Sequence, residues 1–204
     1  MRAKICGITN LIDAQTAVEL GAWALGFNFY KHSPRYIDPL KASHIIKQLP
    51  SYILKVGIVI DTPAAELAGF METVGLNLMQ VYEDIDVAPT LKKHMILSLQ
   101  ANSEHELIPH QKLSQYGYIL LDAPKSNDDL MGGTGRLCNW NLAAKLAQRY
   151  KLLLAGGLTP DNVQLAIKTV KPYAVDVASG VQTSPGQIDP SLLTRFLEQV
   201  SHAY

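Results

Sequence analysis

The chain has 204 residues, with 18 Lys+Arg against 18 Asp+Glu, 48% hydrophobic residues and two cysteines. That length favours one domain, 1–204, and the balanced charge lacks the basic surplus that neutralises phosphate backbones, so no nucleic-acid partner is expected. Cys6 and Cys138 lie too far apart in sequence to suggest a disulfide scaffold and suit a reducing cytoplasm, while no apolar run approaches the ~20 residues of a membrane span and Gly7 interrupts any signal-like start.

Taken in chain order, short apolar runs alternate with helical windows. The runs fall at 4–6, 24–29, 54–60, 76–80, 95–99, 118–121, 152–155 and 174–178, and their continuous apolar character is that of parallel strands buried on both faces. A helix is expected over 11–20, capped by Thr9 or Asn10, with Ile12, Ala17, Val18 and Leu20 at helical spacing. Asp61 or Thr62 before Pro63 opens 64–74, with Leu67, Phe70, Met71 and Val74 on one side. Thr159-Pro160-Asp161 opens 162–169 and Asp189-Pro190 opens 191–201. Weaker windows cover 39–48, 87–92 and 140–149, and the polar stretch 102–115 with Pro109 reads as a loop or a turn of helix.

Eight strands alternating with helices imply an α/β fold, either a closed (β/α)₈ barrel or an open doubly wound sheet. Periodicity does not separate the two. No G-x-G-x-x-G follows the first run, where a dinucleotide site of an open sheet would carry it, whereas Gly156-Gly157 and Ser179-Gly180 follow the seventh and eighth runs, where barrels hold phosphate.

Strand ends are where such folds place their chemistry. Cys6 ends the first run, Asp122 follows the sixth and Asp176 lies in the eighth. A thiol and a carboxylate at two strand ends are a general base and general acid that need neither metal nor cofactor. A lone Cys in a strand is also simply a small hydrophobe, but an Asp straight after Tyr118-Ile119-Leu120-Leu121 needs a partner or a function. Glycines that free backbone amides around 156–157 and 179–180 make a phosphate cradle, and Arg35, after Ser33-Pro34, is an anchor for a second anion such as a carboxylate. The glycine-rich segment Met131-Gly132-Gly133-Thr134-Gly135-Arg136 lets backbone approach a ligand or a lid move. No H-x-x-x-H, C-x-x-C, G-x-S-x-G or P-loop pattern occurs. These residues describe a cofactor-free acid–base enzyme acting on a phosphorylated sugar-like molecule.

Lys4-Ile5-Cys6-Gly7-Ile8-Thr9, Ser33-Pro34-Arg35-Tyr36-Ile37, Leu121-Asp122, Gly132-Gly133-Thr134-Gly135, Leu154-Ala155-Gly156-Gly157-Leu158-Thr159-Pro160-Asp161-Asn162-Val163 and Val175-Asp176-Val177-Ala178-Ser179-Gly180-Val181, closing with Pro185-Gly186, together resemble the phosphoribosylanthranilate isomerases of tryptophan biosynthesis. The resemblance implies a compact (β/α)₈ TIM barrel that rearranges N-(5-phosphoribosyl)anthranilate to 1-(2-carboxyphenylamino)-1-deoxyribulose 5-phosphate, as a monomer or homodimer. It assigns Cys6 as general base and Asp122 as general acid, Arg35 to the anthranilate carboxylate, and Gly156, Gly157, Ser179 and Gly180 to the phosphate. Asp176 corresponds to a pocket-lining position. Those roles require a protonated Asp122, through burial, and surroundings of Cys6 that favour thiolate.

Three places depart from the family pattern. Q-L-H-G at the end of the fourth strand reads Gln80-Val81-Tyr82-Glu83, so a pocket His becomes Tyr82. F-D-W reads Cys138-Asn139-Trp140, and Ala178 stands where a second serine is usual. A related barrel, the aminoaldose isomerase of histidine biosynthesis, would carry a carboxylate pair and two matching phosphate sites, and a catalytically silent phospho-ligand barrel would not need both Cys6 and Asp122. Eight units in this length leave about 25 residues each, against roughly 250 residues for a typical barrel, so one helix is expected to be reduced, the fifth, in 102–115.

Overall fold

The computed structural model describes residues 1–123 and 137–203; the segment 131–136 lies outside them. The eight apolar runs form eight parallel strands: β1 (Arg2–Cys6), β2 (Ala24–Asn28), β3 (Leu54–Ile58), β4 (Leu78–Val81), β5 (Met95–Gln100), β6 (Tyr118–Asp122), β7 (Leu152–Leu154) and β8 (Ala174–Val177). They close into a barrel in sequence order, with β1 paired to both β2 and β8. The seam is in register, Lys4 standing opposite Ala24 on one side and Asp176 on the other.

Alternation along each strand sorts side chains between two cores. Ala24, Val56, Leu78, Ile96, Leu120, Leu153 and Ala174 fill the barrel interior, whereas Leu25, Phe27, Met79, Leu97, Ile119 and Leu121 point outward into the layer beneath the helices. The lower end of the interior is floored by aromatic rings. Trp23, Tyr118 and Tyr173 meet pairwise with centroids 5.6 to 6.1 Å apart, and Arg2 stacks 4.3 Å from the Tyr173 ring.

The helices are α1 (Leu11–Glu19), α2 (Pro39–Ile46), α3 (Leu67–Val74), α4 (Pro89–Lys92), α5 (His110–Leu113), α6 (Trp140–Ala147), α7 (Val163–Val170) and α8 (Pro190–Ser201). Asn10, not Thr9, caps α1, accepting from the Asp13 amide at 2.8 Å. Its inward face is Ala14 and Ala17, and Ile12, counted with the apolar face from sequence, is 75% exposed. Neither Asp61 nor Thr62 caps α3: the chain enters through a 3₁₀ turn at Ala64–Glu66 and the α-helix starts only at Leu67. Asp189 caps α8 as expected, accepting from the amides of Ser191 and Leu192. After β8 the chain forms an antiparallel hairpin that the sequence patterning did not indicate, β9 (Gln182–Ser184) with β10 (Gln187–Ile188).

The fifth helix is reduced to four residues, as expected, but so is the fourth. The shortened units share one carboxylate in place of helix packing. Asp84 takes the ammonium groups of Lys92 and Lys112, each at 2.8 Å, and the Tyr116 hydroxyl at 2.9 Å; that hydroxyl also accepts from the Ile85 amide. The bonds from Lys112 and Lys92 hold the Asp84 carboxyl well below the usual carboxylate range. A depressed folded-state pKa contributes stability above the unfolded value of about 4 and loses it as pH falls further. Asp84→Asn is therefore expected to cost about 1–2 kcal/mol at pH 7 in denaturant unfolding, and the difference from wild type should shrink steadily below about pH 4.

Candidate active site

The upper end of the barrel collects polar side chains because the interior-facing positions change character there. On β1 the alternation carries Arg2, Lys4 and Cys6 inward, on β4 Leu78 and Gln80, on β6 Tyr118, Leu120 and Asp122, and on β8 Ala174 and Asp176. Lys4, with no exposed surface, is the largest side chain in this layer. Its Nζ donates to Asp176 Oδ1 at 2.6 Å and to Gln80 Oε1 at 3.1 Å. Gln80 Nε2 in turn donates to the Tyr82 hydroxyl at 3.3 Å. Burial pulls the Lys4 ammonium down, but Asp176 and Cys6 more than reverse this and hold it above its ordinary value.

Cys6 sits half-buried at the mouth of this layer. Burial pushes its thiol up, Lys4 and Arg35 draw it down, Asp176 pushes it up again, and the net direction is upward. The expectation of surroundings that favour thiolate is thus met by the two cations and outweighed by burial. Tyr82 is also raised, by burial first and then by the charges of Cys6 and Asp122.

Arg35 is 8% exposed and lies across the Gly7 backbone, where a Cβ on residue 7 would meet its Cδ at 2.6 Å. Ser33 Oγ accepts from the Arg35 amide at 3.1 Å, and Arg35 Nε donates to Gln182 Oε1 at 2.8 Å. Gln182, on the hairpin after β8, also donates to the Cys6 carbonyl at 3.3 Å, linking the guanidinium to the backbone at the end of β1. Burial lowers the Arg35 pKa while Cys6 raises it.

Opposite, Asp122, Asp176, Gly156, Gly157, Ser179 and Gly180 line one cleft. Gly156 and Gly157 both adopt positive φ, 82° and 63°, which a side chain would resist. At residue 156 a Cβ would come within 2.7 Å of the Ala123 amide nitrogen and 3.2 Å of Asp122 Oδ1. That oxygen accepts from the Ala123 amide at 2.8 Å. Asn162 Nδ2 donates to the Gly157 carbonyl at 2.8 Å, fixing the loop to the start of α7.

All ten residues singled out from sequence thus stand at one end of the barrel. Two further participants, Lys4 and Gln182, did not stand out. For Lys4 a signal existed: a charged residue two positions before Cys6 in a strand buried on both faces shares its inward face. Gln182 carried none, since its strand is three polar residues long.

A family model for N-(5'-phosphoribosyl)anthranilate isomerase matches residues 3–199. The chain belongs to the N-(5'-phosphoribosyl)anthranilate isomerase family. The isomerase of Pelobacter propionicus is 40% identical over 201 residues, covering 97% of this chain and 94% of that protein. The isomerase of Geobacter sulfurreducens is 40% identical over 205 residues and covers 98% of each. Among solved structures, phosphoribosyl anthranilate isomerase from Thermotoga maritima superposes with a TM-score of 0.88 at 35% identity, over 98% of both chains. An isomerase in complex with reduced 1-(o-carboxyphenylamino)-1-deoxyribulose 5-phosphate superposes at 0.85 with 33% identity, again over 98% of each. Family membership gives the activity, isomerisation of phosphoribosylanthranilate in tryptophan biosynthesis, on a TIM barrel.

The glycine at 156 lets the β7 loop approach Asp122 closely, so adding a Cβ there is a direct test. Gly156→Ala is expected to destabilise the fold by about 1–3 kcal/mol through strained φ and the Ala123 contact. Denaturant titration measures this, and an unchanged midpoint would mean that the loop has another way to accommodate the methyl group.

Proposed function

We propose that Cys6 and Asp122 carry the isomerisation as general base and general acid. The observation that supports this most is their placement: thiol and carboxylate end separate strands and face one interior layer. Asp122, protonated, gives its proton to the furanose ring oxygen as the C1′–O bond breaks, and the anilino nitrogen lone pair forms the iminium. Cys6 thiolate then takes the C2′ proton, and the C–H electrons become the C1′=C2′ bond of an enolamine while the iminium is neutralised. Tautomerisation of that enol gives the ketone. Both proton carriers are side chains, so no metal or cofactor enters the scheme.

The glycine cleft of Gly156, Gly157, Ser179 and Gly180 is assigned to the phosphate, whose charge backbone amides can meet without a cation. Arg35, oriented by Gln182, is assigned to the anthranilate carboxylate. Gln80, Tyr82 and Asp176 are assigned to the substrate between these two anchors, Gln80 linking Lys4 to the Tyr82 hydroxyl. In this reading residues 1–204 act as one barrel domain in the cytoplasm, as a monomer or homodimer. The phosphorylated substrate is its partner, and neither nucleic acid nor membrane takes part. No helix among the described residues is long and apolar enough to cross a membrane.

Purified protein should consume the fluorescence of phosphoribosylanthranilate. Cys6→Ala and Asp122→Ala are each expected to lower turnover about 10²–10⁴-fold with circular dichroism retained; wild-type turnover in either would remove that residue from the scheme. Tyr82→His should change KM more than kcat. Identical constants would take Tyr82 off the substrate.

A further inference from the structure

The acid–base scheme leaves unused the most deeply buried charge in the barrel. We propose that Lys4 is a positioning residue for Cys6: its ammonium, clamped by Asp176 and Gln80, is the fixed counter-charge on which the thiolate forms. The inference rests on the reading of Cys6 as base and explains how a half-buried thiol could serve as one.

Geometry carries the argument. Lys4 and Cys6 are two residues apart on one strand, so both side chains face the interior and stack one above the other. Asp176 at 2.6 Å and Gln80 at 3.1 Å hold the ammonium from β8 and β4, on either side of the interior. Two acceptors leave the third ammonium proton for another partner, and the next side chain on the same inward face of the strand is the Cys6 thiol. Asp176 and Cys6 both favour the charged lysine against burial, so the thiolate can hold the ammonium in place of the carboxylate.

Among the described residues, the other charged and titratable groups facing this end of the interior are Arg35 after β2, Tyr82 after β4 and Asp122 on β6, besides Asp176 on β8. Arg35 favours thiolate as Lys4 does. Asp176 has a double effect, because its carboxylate both opposes a nearby anion and occupies the ammonium. Removing Asp176 alone should therefore release Lys4 to Cys6, whereas removing both charges should leave the thiol without its principal partner.

The test is the pH dependence of Cys6 alkylation by iodoacetamide in protein without substrate, read by peptide mass spectrometry that separates Cys6 from Cys138. In the paired variant Lys4→Gln with Asp176→Asn, which buries no lone charge, the midpoint should rise by about one pH unit. In Asp176→Asn alone it should fall, as the thiolate takes over as counter-ion to Lys4. Opposite displacements are not a consequence of looser packing, which would move both variants the same way. An unmoved midpoint in the paired variant overturns the proposal, as does an upward displacement in Asp176→Asn. Should Asp176→Asn alone fail to fold, the paired variant still decides. Because no turnover is measured, these results stand whatever Cys6→Ala does to catalysis; that variant tests the base assignment, and the alkylation profile tests Lys4.

Discussion

A lysine with no exposed surface must find an anion or lose its proton, and in this barrel it finds Asp176 across the closing seam. The pair joins the first strand to the last at the level where apolar filling gives way to chemistry. Breaking a buried pair by removing one partner costs about 3–5 kcal/mol, because the other charge is left uncompensated. The backbone ladder of β1 and β8 closes the barrel, and this pair adds a side-chain tie across the same seam. Below it the interior is a stack of Ala, Val, Leu and Ile; above it stand the thiol, the carboxylates and the phenol.

A barrel of this length keeps its strands and shortens what connects them. α4 and α5 are single turns, too short to present a useful apolar face. The Asp84 network substitutes charge and hydrogen bonding for that missing contact, with Lys92 drawn over the Tyr116 ring as well as onto the carboxylate. The shortening spares the residues to which the reaction is assigned.

Much of this fold was legible because strands covered on both faces must be apolar throughout, and all eight runs became strands with ends displaced by at most two residues. Helix faces were harder to read. In α1 the burial falls on alanines, whose small side chains let the helix sit close to the sheet, and Ile12 turns outward although it is the more hydrophobic residue. The start of α3 misled because Pro63 permits a 3₁₀ turn as readily as an α-helical one. At the site, Cys6, Asp122 and the glycines could be found because polar or flexible residues interrupt apolar runs at their ends. Lys4 stands within such a run, where its charge reads as a strand-edge lysine until the register places it opposite Asp176. Gln182 acts through a hairpin whose three residues carry no hydrophobic period, so only its bonds to Arg35 and Cys6 reveal it.

The aromatic floor of Trp23, Tyr118 and Tyr173 bears on traffic rather than on stability. Among the described residues the bottom is floored by rings and the middle is filled, which leaves the mouth as the open end. A ligand that enters between the strand ends has to leave by the same route, so departure of one molecule and arrival of the next are mutually exclusive events. Product lingering at the mouth excludes substrate outright, and the pace of emptying that vestibule is a property the protein must manage at the rim, since nothing can be relieved from below.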